Sequence, residues 1–236
     1  MTGDDQRTIN WKASARRSEL MVNSYQDEKS QQVYCLIDKG RVMQMPFGGL
    51  SLLDYAINAS LVMANIALKK QDKAGIITFS NTISNLLPAQ RKSDQLRRVL
   101  ELLYHQKTIY QETDYERLYI TVRQKITQRS LLLLFTNFET LNGCQRQLPY
   151  LRALARHHLL VVVFFENTEL QELLHKSADT TEGIYTKAIA QKFDYEKRQI
   201  VKELQRHGIH AILTAPEQLT VNTINKYLEL KARGLI

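Results

Sequence analysis

The sequence predicts an α/β domain: a Rossmann-like, three-layer αβα arrangement with a mostly parallel central sheet and a short antiparallel edge strand. Three observations predict it. Continuous apolar runs of strand length recur at residues 33–38, 74–80, 130–135 and 159–165. Stretches with helical patterning separate them. The runs end at polar residues that open loops, Asp38, Ser80 and Thr136-Asn137 among them. A run that is apolar at nearly every position reads as a strand buried on both faces, as parallel sheets require.

Each element follows from its local signals. Residues 1–30 carry five basic and five acidic residues. They read as an arm anchored on the domain's flank by Trp11, with 19–22 as a short strand. The domain proper is expected over 31–236. After strand 33–38, Gly48-Gly49 reads as a turn. Residues 50–70 then form a long helix whose polar positions Asp54, Asn58, Asn65 and Lys69 share one face. Strand 74–80 leads through Asn81-Thr82 into an edge strand over 83–87, ending before Pro88. Ser93 is the expected N-cap of a helix through His105. Thr113 or Asp114 caps the next, which runs to about Gln128. Strand 130–135 precedes a helix over 143–157, and strand 159–165 precedes helices over 168–176 and 181–207. Gly208 stops the last of these. A short strand over 210–213 and a helix opened by Pro216 and reaching Ala232 complete the chain.

The totals bound the function. The chain has 236 residues, enough for one large core, and its net charge is +8. The basic residues lie among acids at helical spacings. Groups such as Arg91, Lys92, Arg97, Arg98 and Lys192, Lys197, Arg198, Lys202 therefore read as solvated helix faces. An alternative reading of the same charge is binding to nucleic acid or anionic lipid headgroups, with Arg16-Arg17 as phosphate contacts. No nucleic-acid motif supports it. Cys35, in a strand, and Cys144, near a helix start, differ in setting and suggest two free thiols in a reducing compartment. No apolar run reaches the roughly 18 residues of a membrane helix.

Catalytic patterns are missing from the sequence. It has no GxGxxG or GxxxxGK phosphate cradle, no GxSxG elbow and no HExxH pair. His157-His158 ends a helix, where a cationic side chain suits the dipole. The expectation is a protein that is not an enzyme.

Two stretches carry a resemblance. One is GDDQRTINWKASARRSELMV over residues 3–22. The other is Glu28-Lys29-Ser30-Gln31 leading into strand 33–38 and then Gly40-Arg41-Val42-Met43. Together they resemble the bacterial domain-of-unknown-function family 58, whose members carry a von Willebrand factor A-like domain. The resemblance implies a cytoplasmic interaction domain of a protein anchored in the inner membrane, working with a MoxR-type AAA+ ATPase in assembly or maturation of a client. Family members are longer, so it also implies a shortened chain beginning at the signature, with the membrane segments outside it. No nucleic-acid partner is expected.

The A-domain fold usually holds Mg²⁺ at its strand ends, on a D-x-S-x-S loop, a threonine and an aspartate. A hard dication takes such carboxylate and hydroxyl oxygens. By this resemblance Asp38 keeps the first position and Thr113 supplies the second loop, a vestigial metal site. Gly40 and Val42 stand where the serines would be, and Asn137 where the aspartate would be. With Lys39 and Arg41 adding positive charge, weak or no Mg²⁺ binding is expected. The partner is expected to meet Asp38, Lys39, Gly40, Arg41, Thr113, Asp114 and Asn137, because strand-end loops present their residues.

Overall fold

Strand β1 (Gln32–Asp38) runs through the middle of a sheet ordered β5-β4-β1-β6-β7-β8. This is a computed structural model, and it describes residues 10–17, 21, 30–168 and 181–236. The chain divides into two units, Met1–Ser30 and Gln31–Ile236. In the first, helix α1 (Trp11–Arg17) starts at Asn10, whose carbonyl accepts from the Ser14 N–H and hydroxyl, both at 2.9 Å. Trp11 is 67% exposed. Of the strand expected over 19–22 only Met21 is described, and the helix expected over 168–176 also falls almost wholly outside the described residues.

The second unit alternates strands and helices. After β1 come a single 3-10 turn (Arg41–Met43) and a hairpin of β2 (Pro46–Phe47) and β3 (Leu50–Ser51). Its turn places Gly48 at φ 54° and Gly49 at φ 83°, the left-handed pair that a tight hairpin needs. Helix α2 (Leu52–Lys69) follows, begun by a capping box in which Ser51 and Asp54 satisfy each other's backbone N–H groups. Then come β4 (Lys73–Phe79), β5 (Ile83–Gln90), α3 (Gln95–Tyr104), α4 (Tyr115–Lys125), β6 (Leu131–Phe135) and α5 (Leu141–His157). β7 (Leu159–Phe165), α6 (Thr181–Arg206), β8 (His210–Thr214) and α7 (Leu219–Ala232) complete it, and Gly208 at φ 72° ends the turn after α6.

Within the six-stranded sheet β1, β4, β6, β7 and β8 are parallel and β5 is the antiparallel strand. The strand before Pro88 is longer than expected. Proline is tolerated within β5 because the strand lies at the sheet edge. Ser93 is not the N-cap of α3: Asp94 holds that position, without a side-chain cap, and ion-pairs with Arg98 at 2.8 Å.

Period-2 alternation divides the core into two layers. Val33, Cys35 and Ile37 of β1 face α2, α3 and α7 with Met63, Val99 and Tyr227. Tyr34 and Leu36 face α4, α5 and α6 with Leu118, Leu151 and Ile200. Gly75 makes room for one of these side chains, since a Cβ there would sit 2.6 Å from Tyr34 Cδ1. The Tyr34 hydroxyl thereby reaches the edge strand and accepts from the Ala89 N–H at 3.0 Å. At the opposite end of the sheet from the β1 C-terminus, buried Asp72 accepts from the Gln31 N–H and Lys231 Nζ, both at 3.0 Å, and from the Tyr227 hydroxyl. That cluster fastens α7 to the start of β4.

Candidate functional site

The chain leaves β1 toward β4 on one side and leaves β6 toward β7 on the other. Loops after β1 and β6 therefore diverge, which is where ligands of open α/β sheets bind. Asp38 ends β1 at that point and is fully buried. Both of its oxygens are hydrogen-bonded. Oδ1 accepts from the Thr113 hydroxyl at 2.6 Å and the Gly40 N–H at 2.8 Å. Oδ2 accepts from the Thr136 hydroxyl at 2.7 Å and more weakly from the Tyr115 hydroxyl at 3.4 Å. Tyr115 and Thr136 are themselves 2.6 Å apart. A buried carboxylate is tolerated when its lone pairs are met in this way.

The segment before α4 delivers Thr113, and the first residue of α4 delivers Tyr115. That segment is held on both sides: the Ile109 N–H donates to Lys39 O at 2.8 Å, the Arg41 N–H to Gln111 O at 3.1 Å and the Asp114 N–H to Ser80 O at 2.9 Å. The sequence left Thr113 and Asp114 as alternative caps, and the structure divides their roles. Asp114 caps α4 by accepting from the Arg117 N–H at 3.0 Å, and Thr113 turns inward to Asp38. Gly40 leaves the space for that contact, since a Cβ there would collide with Thr113 Oγ1.

Burial pushes the Asp38 carboxyl up despite its donors, among which Thr113 has the largest opposing effect. Burial, then the nearby Asp38 charge, pushes the Tyr115 hydroxyl well up. Lys39 is buried, and desolvation pushes its amine down. Arg41 turns to Glu139 at 3.7 Å, with both side chains 57% exposed, and leaves Asp38 to its hydroxyl partners.

Sequence reasoning expected these loop residues to be presented. Asp38, Lys39, Gly40 and Asn137 are instead buried, because the segment before α4 lies over the strand ends. Thr113 and Asp114 are partly exposed, and Thr113 joins exposed Arg41, Glu112, Glu139 and Thr140 around a shallow recess of about 110 Å³. Thr136, Tyr115 and Lys197 were missed. Thr136 directly follows an apolar strand, a signal that could have found it. Lys197 was read with its neighbours as a solvated helix face, yet its Nζ donates to Asn137 Oδ1 at 2.5 Å, across 60 positions of sequence. Burial brings Lys197 down to about 8, although Glu139 and Glu166 oppose the shift.

The donor set does not suit a divalent cation. Asp38 is the one carboxylate at the centre, and protein donors already use both its oxygens. The Asn137 oxygen faces an ammonium, and Gly40 and Val42 offer no side-chain oxygen. Among the described residues no cluster of three or more His, Cys, Asp or Glu could hold a metal.

Sheet order, a single antiparallel edge strand and a buried acid at the end of the central strand define a von Willebrand factor A-like domain. The chain belongs to the DUF58 family, described as proteins of unknown function, whose profile matches residues 1–203. Its fold is similar to that of the PilB minor pilin from Streptococcus sanguinis, with a TM-score of 0.59 at 8% identity over 89% of this chain. The match takes in 64% of the pilin, so this chain spans under two thirds of that protein's length. The conserved hypothetical protein BatB from Bacteroides thetaiotaomicron matches with a TM-score of 0.55 at 13% identity, over 86% of this chain and 100% of the solved chain. The SpRpn10 VWA domain scores 0.47 at 10% identity, over 84% of this chain and 95% of that one. No functionally curated protein matches the sequence. Among the described residues no helix is long and apolar enough to cross a membrane.

Proposed function

We propose that this chain is a non-enzymatic protein-interaction domain whose partner meets the loops after β1 and β6 and the segment before α4. The observation that carries this reading is the saturation of Asp38. Its four hydrogen bonds tie three loops together, so the strand-end position serves as a fixed platform with a degenerate metal site. Arg41, Glu112, Asp114 and Glu139 form the accessible charged rim, and Asp38, Lys39, Gly40, Thr113 and Asn137 shape it from beneath.

The family resemblance supports a MoxR-type AAA+ ATPase as the partner and an inner-membrane anchor in segments outside this sequence. It also supports a cytoplasmic setting. Interleaved charge favours protein over nucleic acid or lipid. Basic side chains on several helices are met by acids of their own helix, as in Arg97–Glu101, Arg117–Asp114, Arg198–Asp194 and Arg233–Glu229.

The test is a pull-down with a MoxR-type ATPase from the same organism, in ATP-analogue and ADP states, repeated with Arg41→Glu. Binding lost on that substitution is the expected result, and no binding in either nucleotide state removes this partner. Calorimetric titration with Mg²⁺ addresses the metal. Weak or absent binding is expected, and micromolar affinity abolished by Asp38→Ala would overturn that part of the proposal.

A further inference from the structure

A larger cavity lies beside the strand ends, on the other side of Asn137. It measures about 560 Å³, within the size range of small-molecule sites. Much of its wall is apolar: Met45 and Phe47 of the hairpin, Leu52 of α2, Phe165 at the end of β7, Phe193 of α6 and Pro216. Lys197 of α6 adds one cationic group to this lining.

The Lys197 ammonium is under-compensated. It has three protons to donate. Asn137 Oδ1 takes one at 2.5 Å, and the face of Phe164 lies 5.6 Å from the nitrogen. Among the described residues no carboxylate stands within ion-pair distance of it. Asn137 spends its oxygen on Lys197 and keeps its amide nitrogen as a second donor at the same spot. Two adjacent donors, one charged, at the end of an apolar cavity match a carboxylate.

Three carboxylates also line the cavity, and bases outside its lining hold two of them. Glu139 pairs with Arg41 at 3.7 Å and Asp194 with Arg198 at 3.0 Å. Glu166, partly buried, faces Lys197, and burial followed by the nearby Asp194 pushes its carboxyl up, against Arg198 and Lys197. Among the described residues Glu166 and Lys197 are thus the two charged groups of the lining without a partner at ion-pair distance. An amine entering the cavity would meet the Lys197 ammonium. A carboxylate would complete its hydrogen bonding.

We infer that this cavity is a binding site for an amphipathic monocarboxylate, with the carboxylate on Lys197 Nζ and the Asn137 amide and the apolar body against Phe47, Phe165 and Phe193. This cavity adjoins the proposed partner surface, since Asn137, Glu139 and Thr140 line both recesses, but a ligand here requires no protein partner at the strand ends.

Decanoate and decylamine, each below its micellar concentration, and decanol, below its solubility limit, are the probes. Each is titrated into the full 236-residue chain by calorimetry. Decanoate is expected to bind with one-to-one stoichiometry and to raise Tm, with decanol and decylamine at least roughly tenfold weaker. Lys197→Met should remove that preference, Lys197→Arg should retain it and Lys192→Met, on the exposed side of α6, should leave it unchanged. Decanoate affinity should fall as the pH is raised past 8, where the ammonium loses its proton. Equal or tighter binding of decylamine to the unaltered chain overturns the inference, and so does the absence of saturable decanoate binding. Both readouts are independent of whether the Lys197 variants fold.

Discussion

The Thr136 hydroxyl donates to Asp38 Oδ2 at 2.7 Å and joins the ends of β6 and β1 where their outgoing loops part. Tyr115 stands 2.6 Å from the same threonine, so the bond belongs to a buried chain of three side chains. We predict that Thr136→Val destabilises the domain by about 1–3 kcal/mol. The variant keeps the volume but strips a buried carboxylate of its shortest Oδ2 donor. Urea unfolding followed by circular dichroism reads this as a lower midpoint at an unchanged slope. A midpoint equal to that of the parent chain would mean that the bond contributes nothing.

Gly40→Ala is predicted to be costly although its backbone, at φ −67° and ψ 176°, suits any residue. The cost is steric, since the new methyl group would meet Thr113 Oγ1. Combined with Thr113→Ala, which removes that oxygen, the same change should cost less than it does alone. A double-mutant cycle is expected to give a coupling of about 1 kcal/mol, and strict additivity would argue that the two residues do not compete for one space.

Lys197 gives a pH signature. Its pKa is about 8 in the folded chain against 10.5 for an unperturbed lysine. Below pH 8 both states are protonated, and the folded state bears the cost of burying the charge. Between 8 and 10.5 the unfolded chain holds a proton that the folded chain has released, so stability rises with pH through that window. The full span is on the order of 3 kcal/mol. Unfolding free energies measured at pH 7 and pH 9.5 for the parent and Lys197→Met should differ in slope in this sense. Parallel pH profiles would show the ammonium to be well solvated.

The family profile ends at residue 203, yet the fold continues past it. Leu204, Ile209, Leu219, Tyr227 and Leu230 are buried, and Tyr227 and Lys231 both bond to Asp72. A chain cut after residue 203 would lose β8 and α7, bare the edge of β7 and expose one whole side of α2. We predict that it shows no cooperative thermal transition. Tyr227→Phe, which removes only one donor from Asp72, should cost about 1 kcal/mol and leave the transition cooperative.

Much of this architecture could be read directly from the residues. The apolar runs at β1, β4, β6 and β7 and the stop at Gly208 are local signals, and local signals survive folding. Asp38 was found because a strand otherwise apolar ended in an acid. Its partners were harder. Thr113 was visible as a hydroxyl near a helix start, but whether it capped α4 or turned inward depended on Gly40, far from it in the chain. Lys197 was misread because a lysine amid Asp194, Glu196 and Arg198 matches the pattern of a solvated face. Only the packing of α6 against Phe164 and Asn137 takes its ammonium out of water. The burial of Asn137 and Lys39 was likewise hidden, since it depends on a loop that returns over the strand ends.

Cys35 and Cys144 are both buried, and burial pushes each thiol up to about 12. They are the only cysteines in the chain. At neutral pH almost none of either exists as thiolate, the form that attacks maleimides and iodoacetamide. The native domain therefore behaves toward these reagents as though it were cysteine-free. A single cysteine placed at exposed Glu112, on the rim of the strand-end recess, could carry a fluorophore with both natural thiols left in place, and partner binding could then be followed by anisotropy in the otherwise unaltered chain.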